Sequence, residues 1–432
     1  MKIAAFLPAK GSSSRIPSKN MRLMDGKPLF LHTLEKLAQS SLFDEVWLDT
    51  ESDEVIALAS SVECLIHKRD ESLASNKTDG NKLFMNQVAA TEADIYVQIL
   101  CTSPFIKIET IEKAINILRD DPNYDSVVLV KREKQYTWSN GTPDYNLRNI
   151  PNSVDLPDVT IETMGLYVVR RETALKTQRR IGDRPYLLEA EPIEAIDVNF
   201  PPEFELANLI AAGQREEHRK LLANIRAHLS SPLLSDVMDD LGLDGQLVLG
   251  LTPNRSQQKL FGHAKTLKLR AIQNGEDFRA IYKALDSYKT VIPGDVIVVE
   301  NETPDYAYFG ELNANLAIRS GAVGAIIGGK TRDNDAVLNL GFPTFSTGYV
   351  CRDVRKRAVT ESINCPISLF GVRVCPGDLI FADQEGVVVI PKAHEKAVLD
   401  EVFRRINTEK NILLDIANGA RVEELVSDHG TF

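Results

Sequence analysis

Short apolar runs alternate with amphipathic stretches through the first half of the chain. The run KIAAFLP at 2–8 predicts a buried strand, and PLFLHTLEKLAQ at 28–39 has the apolar spacing of a helix. The alternation continues with predicted strands at 45–50, 95–100, 126–131 and 165–170 and predicted helices at 79–91 and 108–119. This order predicts an α/β fold with a parallel or mixed sheet that carries helices on both faces.

A long polar helix is predicted from about 203 to 228, and its charged run at 215–220 is typical of a solvated connector. The segment LSSPL at 229–233 then gives a helix start signal. We therefore predict a boundary near 222–230, which gives domains 1–225 and 226–432. The second domain mixes short helices with strands and ends in a helix at about 392–417; its predicted strands lie at 259–269, 295–300, 323–328, 366–370, 378–381 and 386–390.

Composition narrows the classes of protein. A chain of 432 residues exceeds what one core of ~250–300 residues can organise, so two domains are expected. A net charge of −11 opposes binding to nucleic acids and to anionic membranes. The start of the chain predicts a strand rather than a signal peptide, and no window approaches ~18 consecutive apolar residues. Five dispersed cysteines without a CxxC pair favour free thiols in a reducing cytoplasm.

The loop LPAKGSSSRIPSKN at 7–20 follows the first predicted strand directly. Its candidate phosphate-binding residues are small residues with exposed amides and nearby cations: Gly11, Ser12, Ser13, Lys10, Arg15 and Lys19. A triphosphate requires such donors because negative charge develops on the leaving pyrophosphate. Spacing alone supports a solvated turn between strand and helix equally well.

The loop resembles the signature (I/L)PARGGSKxIPxKN of the cytidylyltransferases that make CMP-sialic acid and related CMP-ulosonic acids, and an intact GKPL follows at 26–29. The resemblance covers roughly residues 1–210. Further similar segments occur in the family's order: LDTESDE (48–54), RDESLAS (69–75), CTSPF (101–105), ETMGLYVV (162–169), RRIGDRPYLLE (179–189) and EAIDVNFPPEFELA (194–207).

The resemblance implies a nucleotide-diphospho-sugar-transferase-like fold and a reaction. The anomeric hydroxyl of a 2-keto-3-deoxy sugar acid attacks the α-phosphate of CTP, and pyrophosphate leaves, with Mg²⁺ or Mn²⁺ as the cofactor. Carried over by position, Lys10 and Lys19 contact the triphosphate, Asn20 contacts the cytidine portion, and Asp197 helps to bind the metal.

Several positions depart from the family's pattern. Lys10 stands for Arg, Ser12 for Gly, Ser14 for Lys, Leu100 for Gln, and Asn199 for the second Asp of an Asp-x-Asp metal pair. Each change removes charge or a hydrogen bond from the implied site. An altered substrate and a weak enzyme therefore both stay open.

The segment FGELNANLAIRSGAVGAIIGGKTRD at 309–333 holds the candidate chemistry of the second domain. A predicted helix, a strand and a Gly-Gly turn separate Glu311 from Arg332 and Asp333, and this geometry can return them to one end of a sheet. An arginine can bind the carboxylate of a 2-keto acid while a carboxylate holds a divalent metal. Spacing alone favours the alternative, an ordinary surface salt-bridge cluster.

This half resembles the family of 4-hydroxy-4-methyl-2-oxoglutarate aldolases and RraA-like regulators of ribonuclease activity. Similar segments extend over about 230–400: LSDVMDDLGLDG (234–245), FGHAKTLKL (261–269), PGDVIVVE (293–300) and VCPGDLIFADQEGVVVIP (374–391). The resemblance implies a swivelling β/β/α fold, usually trimeric. It also implies that Arg332 binds a pyruvyl carboxylate, that Asp333 holds the metal, and that Glu311 replaces an Asp that positions metal-bound water. Aldolases and regulators share this pattern, so the two stay open.

The combined expectation is a transferase that uses CTP and a 2-keto-3-deoxy sugar acid, fused to an aldolase-like domain that handles pyruvate. The alternatives are a pyruvate aldolase with a degenerate nucleotide-binding domain, and a non-catalytic C-terminal oligomerisation or regulatory module. Dimerising and trimerising domains in one chain would close into a homo-hexamer with D₃ symmetry. The seven histidines show no metal-ligand spacing, and His263 in a predicted strand is interpreted as structural.

Overall fold

The computed structural model describes residues 1–75 and 77–417. Tertiary contacts divide the chain into Met1–Ala212 and Gly213–Phe432, and the division falls inside one long helix. The domain boundary at 225/226 stays a prediction. Among the described residues, no helix is both long and apolar enough to cross a membrane.

The first unit is built on a seven-stranded sheet. Its strands are β1 Ile3–Pro8, β2 Glu45–Thr50, β3 Leu65–Lys68, β4 Ile95–Ile99, β5 Ser126–Glu133, β6 Val159–Arg170 and β7 Pro185–Glu189. Their order is β7-β5-β6-β4-β1-β2-β3, and β6 runs antiparallel to both neighbours while the other pairs are parallel. The predicted α/β class with a mixed sheet is therefore confirmed.

Helices cover both faces of this sheet, because β1 is buried throughout and its alternate residues enter two cores. Ile3, Ala5 and Leu7 pack into one hydrophobic cluster, whereas Ala4 and Phe6 pack into another. The helices are α1 Leu29–Ala38, α2 Asp53–Leu58, α3 Gly80–Ala90, α4 Ile108–Asp120, α5 Arg171–Thr177 and α6 Pro201–Arg226.

The second unit contains a nine-stranded mixed sheet. In chain order its helices are α7 Ser231–Asp240, α8 Glu311–Ser320, α9 Asn334–Asn339 and α10 Glu395–Ala417. Its strands are β8 Leu247–Val248, β9 Thr252–Pro253, β10 Leu260–Ala271, β11 Asp295–Asn301, β12 Gly324–Ile327, β13 Thr344–Ser346, β14 Ala358–Ile363, β15 Ile367–Leu369, β16 Val372–Val374, β17 Leu379–Ala382 and β18 Val387–Ile390. The sheet order is β8-β18-β17-β10-β11-β12-β13-β9, with β14 paired to β10 and β15 paired only to β16.

Local signals explain where these elements begin. Ser230 caps α7 by accepting a hydrogen bond from the amide of Leu233 at 3.3 Å, as the LSSPL segment predicts. The edge strands β3 and β7 were not predicted, because most of their residues are exposed or half-buried and give no apolar run. The segment between β5 and β6 contains a two-residue ladder between Trp138–Ser139 and Thr142–Pro143. Strand β6 begins at Val159, earlier than the predicted strand at 165–170.

Gly165 in β6 provides a test of the packing around the loop that follows β4. A Cβ at this position would lie 2.6 Å from Ser103 Oγ and 2.7 Å from Ile106 Cδ1. Gly165→Ala should therefore destabilise the protein by about 1–3 kcal/mol, measured as the free energy of unfolding in urea. The control Gly213→Ala lies in a helix with open space around the new Cβ and should be neutral or stabilising by up to ~1 kcal/mol. Equal effects of the two substitutions would contradict this account.

Candidate functional site

The loop after β1 lies at the carboxyl edge of the parallel strands. It runs from Pro8 to a short helical turn, Lys19–Met21. Strands β2 and β4 flank β1 in parallel, so the segments that follow all three strands leave the sheet at one edge. In open α/β sheets this edge forms the ligand crevice.

Backbone contacts fix the shape of this loop. The amide of Gly11 donates to Glu51 Oε1 at 2.8 Å, and Asn20 Nδ2 donates to the carbonyl of Lys10 at 2.8 Å. A Cβ at Gly11 would lie 2.6 Å from the Cβ of Ser52, so glycine allows the close approach. Burial raises the pKa of the Cys101 thiol to about 11. This thiol donates a hydrogen bond to Asn20 Oδ1, with a sulfur-to-oxygen distance of 3.3 Å. The side chain of Asn20 thus holds the loop together, and its contact with a nucleotide stays a prediction.

A chain of buried polar side chains supports Glu51 from inside the sheet. Arg69 Nη2 lies 2.8 Å from Glu51 Oε2, and Arg69 Nη1 lies 3.3 Å from Asp49 Oδ2. Gln87 donates to Asp49 at 2.5 Å and accepts a hydrogen bond from Gln98 at 2.7 Å. Asp49 and Arg69 are almost completely buried. Burial raises the pKa of Asp49, and the charge of Arg69 opposes that rise.

Lys19 links the loop to the segment that contains Asp197. Its Nζ donates to the carbonyl of Val198 at 2.7 Å, and the amide of Val198 donates to the carbonyl of Thr102 at 2.8 Å. Lys19 is buried, which lowers its pKa; the interactions with Cys101 and Asp197 raise its pKa, and the charge of Arg15 lowers it further. The structure therefore brings the predicted residues Lys19 and Asp197 to the same edge of the sheet.

The carboxylate of Asp197 is oriented by its neighbours and offers one oxygen. Asn199 Nδ2 donates to Asp197 Oδ2, whereas the buried Oδ1 has no hydrogen-bond partner within the described residues. Glu203, in the first turn of α6, accepts from the amides of Asn199 and Phe200 at 2.6 and 2.9 Å and fixes this turn. A carboxylate oxygen without a partner suits Mg²⁺ or Mn²⁺. The residues present therefore fit a divalent cation that is held by Asp197 through a single oxygen.

The other predicted loop residues lie nearer the surface. The guanidinium of Arg15 lies 5.2 Å from the ring centroid of Phe200. Ser13 Oγ accepts a hydrogen bond from the amide of Ile16 at 3.5 Å. Ser12 is exposed. A cleft of about 550 Å³ lies beside Asp197, and its lining includes Lys131, Arg132, Glu162, Met164, Asn199 and Glu203.

Sequence reasoning assigned no role to Glu51 or Arg69, although both lie within the quoted segments LDTESDE and RDESLAS. For Glu51 the signal was a charged residue directly after a predicted buried strand. Arg69 follows the exposed edge strand β3 and gave no such signal. Lys131 and Arg132, near the end of β5, were also missed.

In the second unit, the structure brings together Glu311, Arg332 and Asp333. The amide of Arg332 donates to the carbonyl of Phe309 at 3.0 Å, which sets the two segments side by side. Glu311 begins α8, and its amide lies 3.4 Å from Asp333 Oδ2. A Cβ at Gly310 would lie 2.5 Å from Asp333 Oδ2, so glycine leaves room for this carboxylate. The three side chains line a cleft of about 1200 Å³.

Asp353 also lines this cleft and was missed. Its Oδ2 lies 2.7 Å from Arg332 Nη1, while Arg332 Nε lies 3.5 Å from Asp333 Oδ2. The guanidinium predicted to bind a substrate carboxylate thus already holds a carboxylate of the chain. No spacing signal connects Asp353 to Arg332, because a loop supplies it twenty-one positions later.

Comparisons with known proteins match the two units of the chain to two different families. A family model described as cytidylyltransferase matches residues 4–178, and an RraA-like model described as aldolase/RraA matches residues 231–389. The chain is 32% identical over 173 residues to a putative 4-hydroxy-4-methyl-2-oxoglutarate aldolase of Halalkalibacterium halodurans, covering 40% of this chain and 77% of that protein. It is 25% identical over 217 residues to N-acylneuraminate cytidylyltransferase A of Danio rerio, covering 48% of this chain and 50% of that protein.

A third relative is Protein DlpA of Legionella pneumophila, which is 31% identical over 202 residues, or 46% of this chain and 32% of that protein. The chain thus spans about a third of the length of Protein DlpA and about half of the length of the Danio rerio relative.

The buried pair of Arg69 and Asp49 gives a stability prediction. Arg69→Ala leaves Asp49 and Glu51 without their cation, and breaking a buried ion pair of this kind should cost about 3–5 kcal/mol of unfolding free energy. The adjacent Lys68→Ala removes an exposed ion pair with Asp53 and should cost at most ~1 kcal/mol. Denaturant unfolding of both variants measures the difference. A loss of unfolding free energy below ~1 kcal/mol for Arg69→Ala would show that the ion pairs of Arg69 with Asp49 and Glu51 do not stabilise the fold.

Proposed function

Because the chain belongs to the RraA-like aldolase family through residues 231–389 and carries a cytidylyltransferase-family domain at residues 4–178, we propose a bifunctional enzyme of 2-keto-3-deoxy sugar acids. Its N-terminal unit transfers CMP from CTP to the sugar acid and releases pyrophosphate. Its C-terminal unit cleaves or forms a 4-hydroxy-2-oxo acid of the same chemical class.

The observation that carries the transferase proposal is the Asp197 oxygen beside the Lys19 contact, which has no hydrogen-bond partner in the part of the chain that the structure describes. A buried carboxylate oxygen without a hydrogen bond is costly unless a cation or donor completes it. The contact of Lys19 with Val198 supports a site in which an ammonium and a metal-binding carboxylate face one phosphate chain. Mg²⁺ or Mn²⁺ held by Asp197 would neutralise phosphate charge there.

The chain's own residues then have defined tasks. An ammonium has three donors, so Lys19 can keep its bond to Val198 and still donate to phosphate oxygens. Lys10 and Arg15 add charge from the exposed side of the loop, where pyrophosphate leaves. The anomeric oxygen forms a bond to the α-phosphorus, the bond from that phosphorus to the bridging oxygen breaks, and the hydroxyl proton passes to solvent.

The cleft beside Asp197 is the proposed sugar-acid site. Its volume of about 550 Å³ suits a substrate of sugar size, and Lys131 and Arg132 in its lining can pair with a carboxylate. A net charge of −11 for the whole chain makes such local cations necessary for an anionic substrate.

Pyrophosphate release tests the transferase proposal. With CTP, Mg²⁺ and a panel of ulosonic acids, the wild-type chain should release pyrophosphate, and Lys19→Met should lower the rate by on the order of 10²–10³-fold, because a charge-stabilising donor is lost. Lys113→Met, an exposed position on α4, is the control and should keep full activity. Asn199→Asp should tighten Mg²⁺ binding by roughly tenfold, since it restores a second carboxylate. Absence of pyrophosphate with every acid of the panel would reject the proposal.

The aldolase proposal depends on Arg332, Asp333 and Glu311. Arg332 would bind the substrate carboxylate, and Asp333 would hold a divalent metal, which as a Lewis acid polarises the keto group. Glu311 would take the proton of the C4 hydroxyl as the C3–C4 bond breaks; C3 then gains a proton, and pyruvate and a carbonyl compound result. The convergence of these side chains around one cleft supports this assignment.

Two alternatives make different predictions. In the first, the C-terminal unit is the active aldolase and the N-terminal unit is degenerate. The presence of Asn199 where the family has a second metal-binding Asp favours this alternative. In the second, the C-terminal unit is an oligomerisation or regulatory module without affinity for Mg²⁺ or pyruvate analogues. Oligomeric state, including the D₃ hexamer, stays a prediction in either case.

The pairing of Arg332 with Asp353 gives a test that separates these readings. Oxalate, a pyruvate enolate analogue, should bind the wild-type chain with Mg²⁺, and Arg332→Ala should abolish both oxalate binding and pyruvate release. Asp353→Asn should tighten oxalate binding by up to about fivefold, because the partly exposed ion pair that competes with oxalate is worth at most ~1 kcal/mol. The control Asp305→Asn breaks an exposed pair with Lys330 and should change nothing. Oxalate binding that survives Arg332→Ala would overturn the assignment.

A further inference from the structure

Three potential metal ligands that neither proposed reaction uses converge in the unit Gly213–Phe432. His218 comes from α6, His263 from β10, and Glu395 is the first residue of α10. Each offers one ligand atom, and these atoms lie within 4.8 Å of one another. Their sequence separation hides this cluster, since His263 and Glu395 are 132 positions apart.

The geometry differs from that of a simple ion pair. His218 Nε2 lies 2.9 Å from Glu395 Oε1, yet this buried nitrogen makes no aligned hydrogen bond within the described part of the chain. His263 Nε2 lies 3.3 and 3.2 Å from the two oxygens of Glu395, so it points between them. A tetrahedral ion with bonds of ~2.0–2.2 Å separates its ligand atoms by roughly 3.4 Å. The nitrogen-to-oxygen distances of 2.9, 3.2 and 3.3 Å lie close to that separation, and no pair of ligand atoms is farther apart than 4.8 Å.

We propose that His218, His263 and Glu395 form a binding site for a divalent cation of the zinc class. Two imidazole nitrogens and one carboxylate favour Zn²⁺ over Mg²⁺, which prefers oxygen ligands only. The two histidine side chains are 37% and 30% exposed, so the cluster lies near the surface. Three protein ligands leave the fourth position of a tetrahedral ion to water.

The surrounding charges are compatible with a cation. Asp295 lies opposite His263 in the register of β10 and β11, is buried, and interacts electrostatically with His263. Lys265 Nζ lies 3.8 Å from Asp295 Oδ2, and the charge of Arg215 also acts on Asp295. The carboxylates of Glu395 and Asp295 therefore balance the charges of Lys265 and Arg215, so these neighbours add no net positive charge that would repel a divalent ion.

The site connects α6, β10 and the start of α10. A metal that binds the folded chain but not the unfolded chain stabilises the fold by mass action. Zinc binding should therefore raise the melting temperature of the full chain in proportion to the logarithm of the zinc concentration. The alternative is a His–Glu–His ion-pair cluster that holds these elements together without a metal, and that cluster responds to pH but not to zinc.

Metal titration of the full chain tests the proposal. The chain, stripped with EDTA, is titrated with Zn²⁺ against a chromophoric chelator in excess Mg²⁺, which saturates oxygen-ligand sites at Asp197 and Asp333. One zinc per chain is expected, and Co²⁺ should give the intense visible absorption of tetrahedral coordination. His263→Ala and Glu395→Gln should each weaken zinc binding by on the order of a hundredfold or more.

Matched variants keep the result interpretable. His394→Ala removes an exposed histidine next to Glu395 and should leave zinc affinity unchanged. His218→Cys retains a zinc ligand and should keep the metal and red-shift the Co²⁺ spectrum through thiolate coordination. His218→Ala, at a partly exposed position, serves if Glu395→Gln fails to fold. Failure to bind zinc, or unchanged zinc affinity in both His218→Ala and His263→Ala, would overturn the proposal.

Discussion

The first candidate site depends on the ion pairs that the buried guanidinium of Arg69 makes. It lies between Asp49 inside the sheet and Glu51 at the sheet edge, and Glu51 in turn fixes the amide of Gly11. An isolated buried charge is strongly unfavourable, so each member of this chain requires the next. The interior of the sheet thereby helps to fix the position of the loop after β1, together with the contacts of Asn20.

The two proposed anion-binding sites differ physically before any ligand binds. In the first unit Lys19 is buried and fixed to a backbone carbonyl, so its charge is oriented before any ligand arrives. In the second unit Arg332 is partly exposed and paired with Asp353, so a ligand carboxylate must displace a carboxylate of the chain. The first arrangement favours a fixed response to phosphate, and the second makes binding depend on the release of Asp353.

Apolar periodicity predicted the interior elements well because burial and secondary structure share one signal there. Strand β2 and helix α4 match the predicted bounds to within about a residue, whereas the exposed edge strands β3 and β7 were missed. The convergence of Glu311 with Arg332 and Asp333 could be predicted, because only a helix, a strand and a turn separate them, and these elements return the chain to the same end of the sheet. Partners supplied by distant segments, such as Asp353, could not be predicted, because only the tertiary topology places them. The same is true of the histidine cluster, where His263 alone was interpreted as structural.

The substitution at Asn199 changes how the first site can work. Its amide donates to Asp197 Oδ2, so the carboxylate is oriented without a cation, and one oxygen is left for a metal. A second carboxylate at this position would repel Asp197 until a cation neutralised both. In the proposed transferase site, Asn199 would therefore lower the affinity for the metal and stabilise the metal-free site. Because a cation with fewer anionic protein ligands keeps more of its charge, a metal held by Asp197 alone would neutralise more of the phosphate charge, and Lys19 would add to that effect.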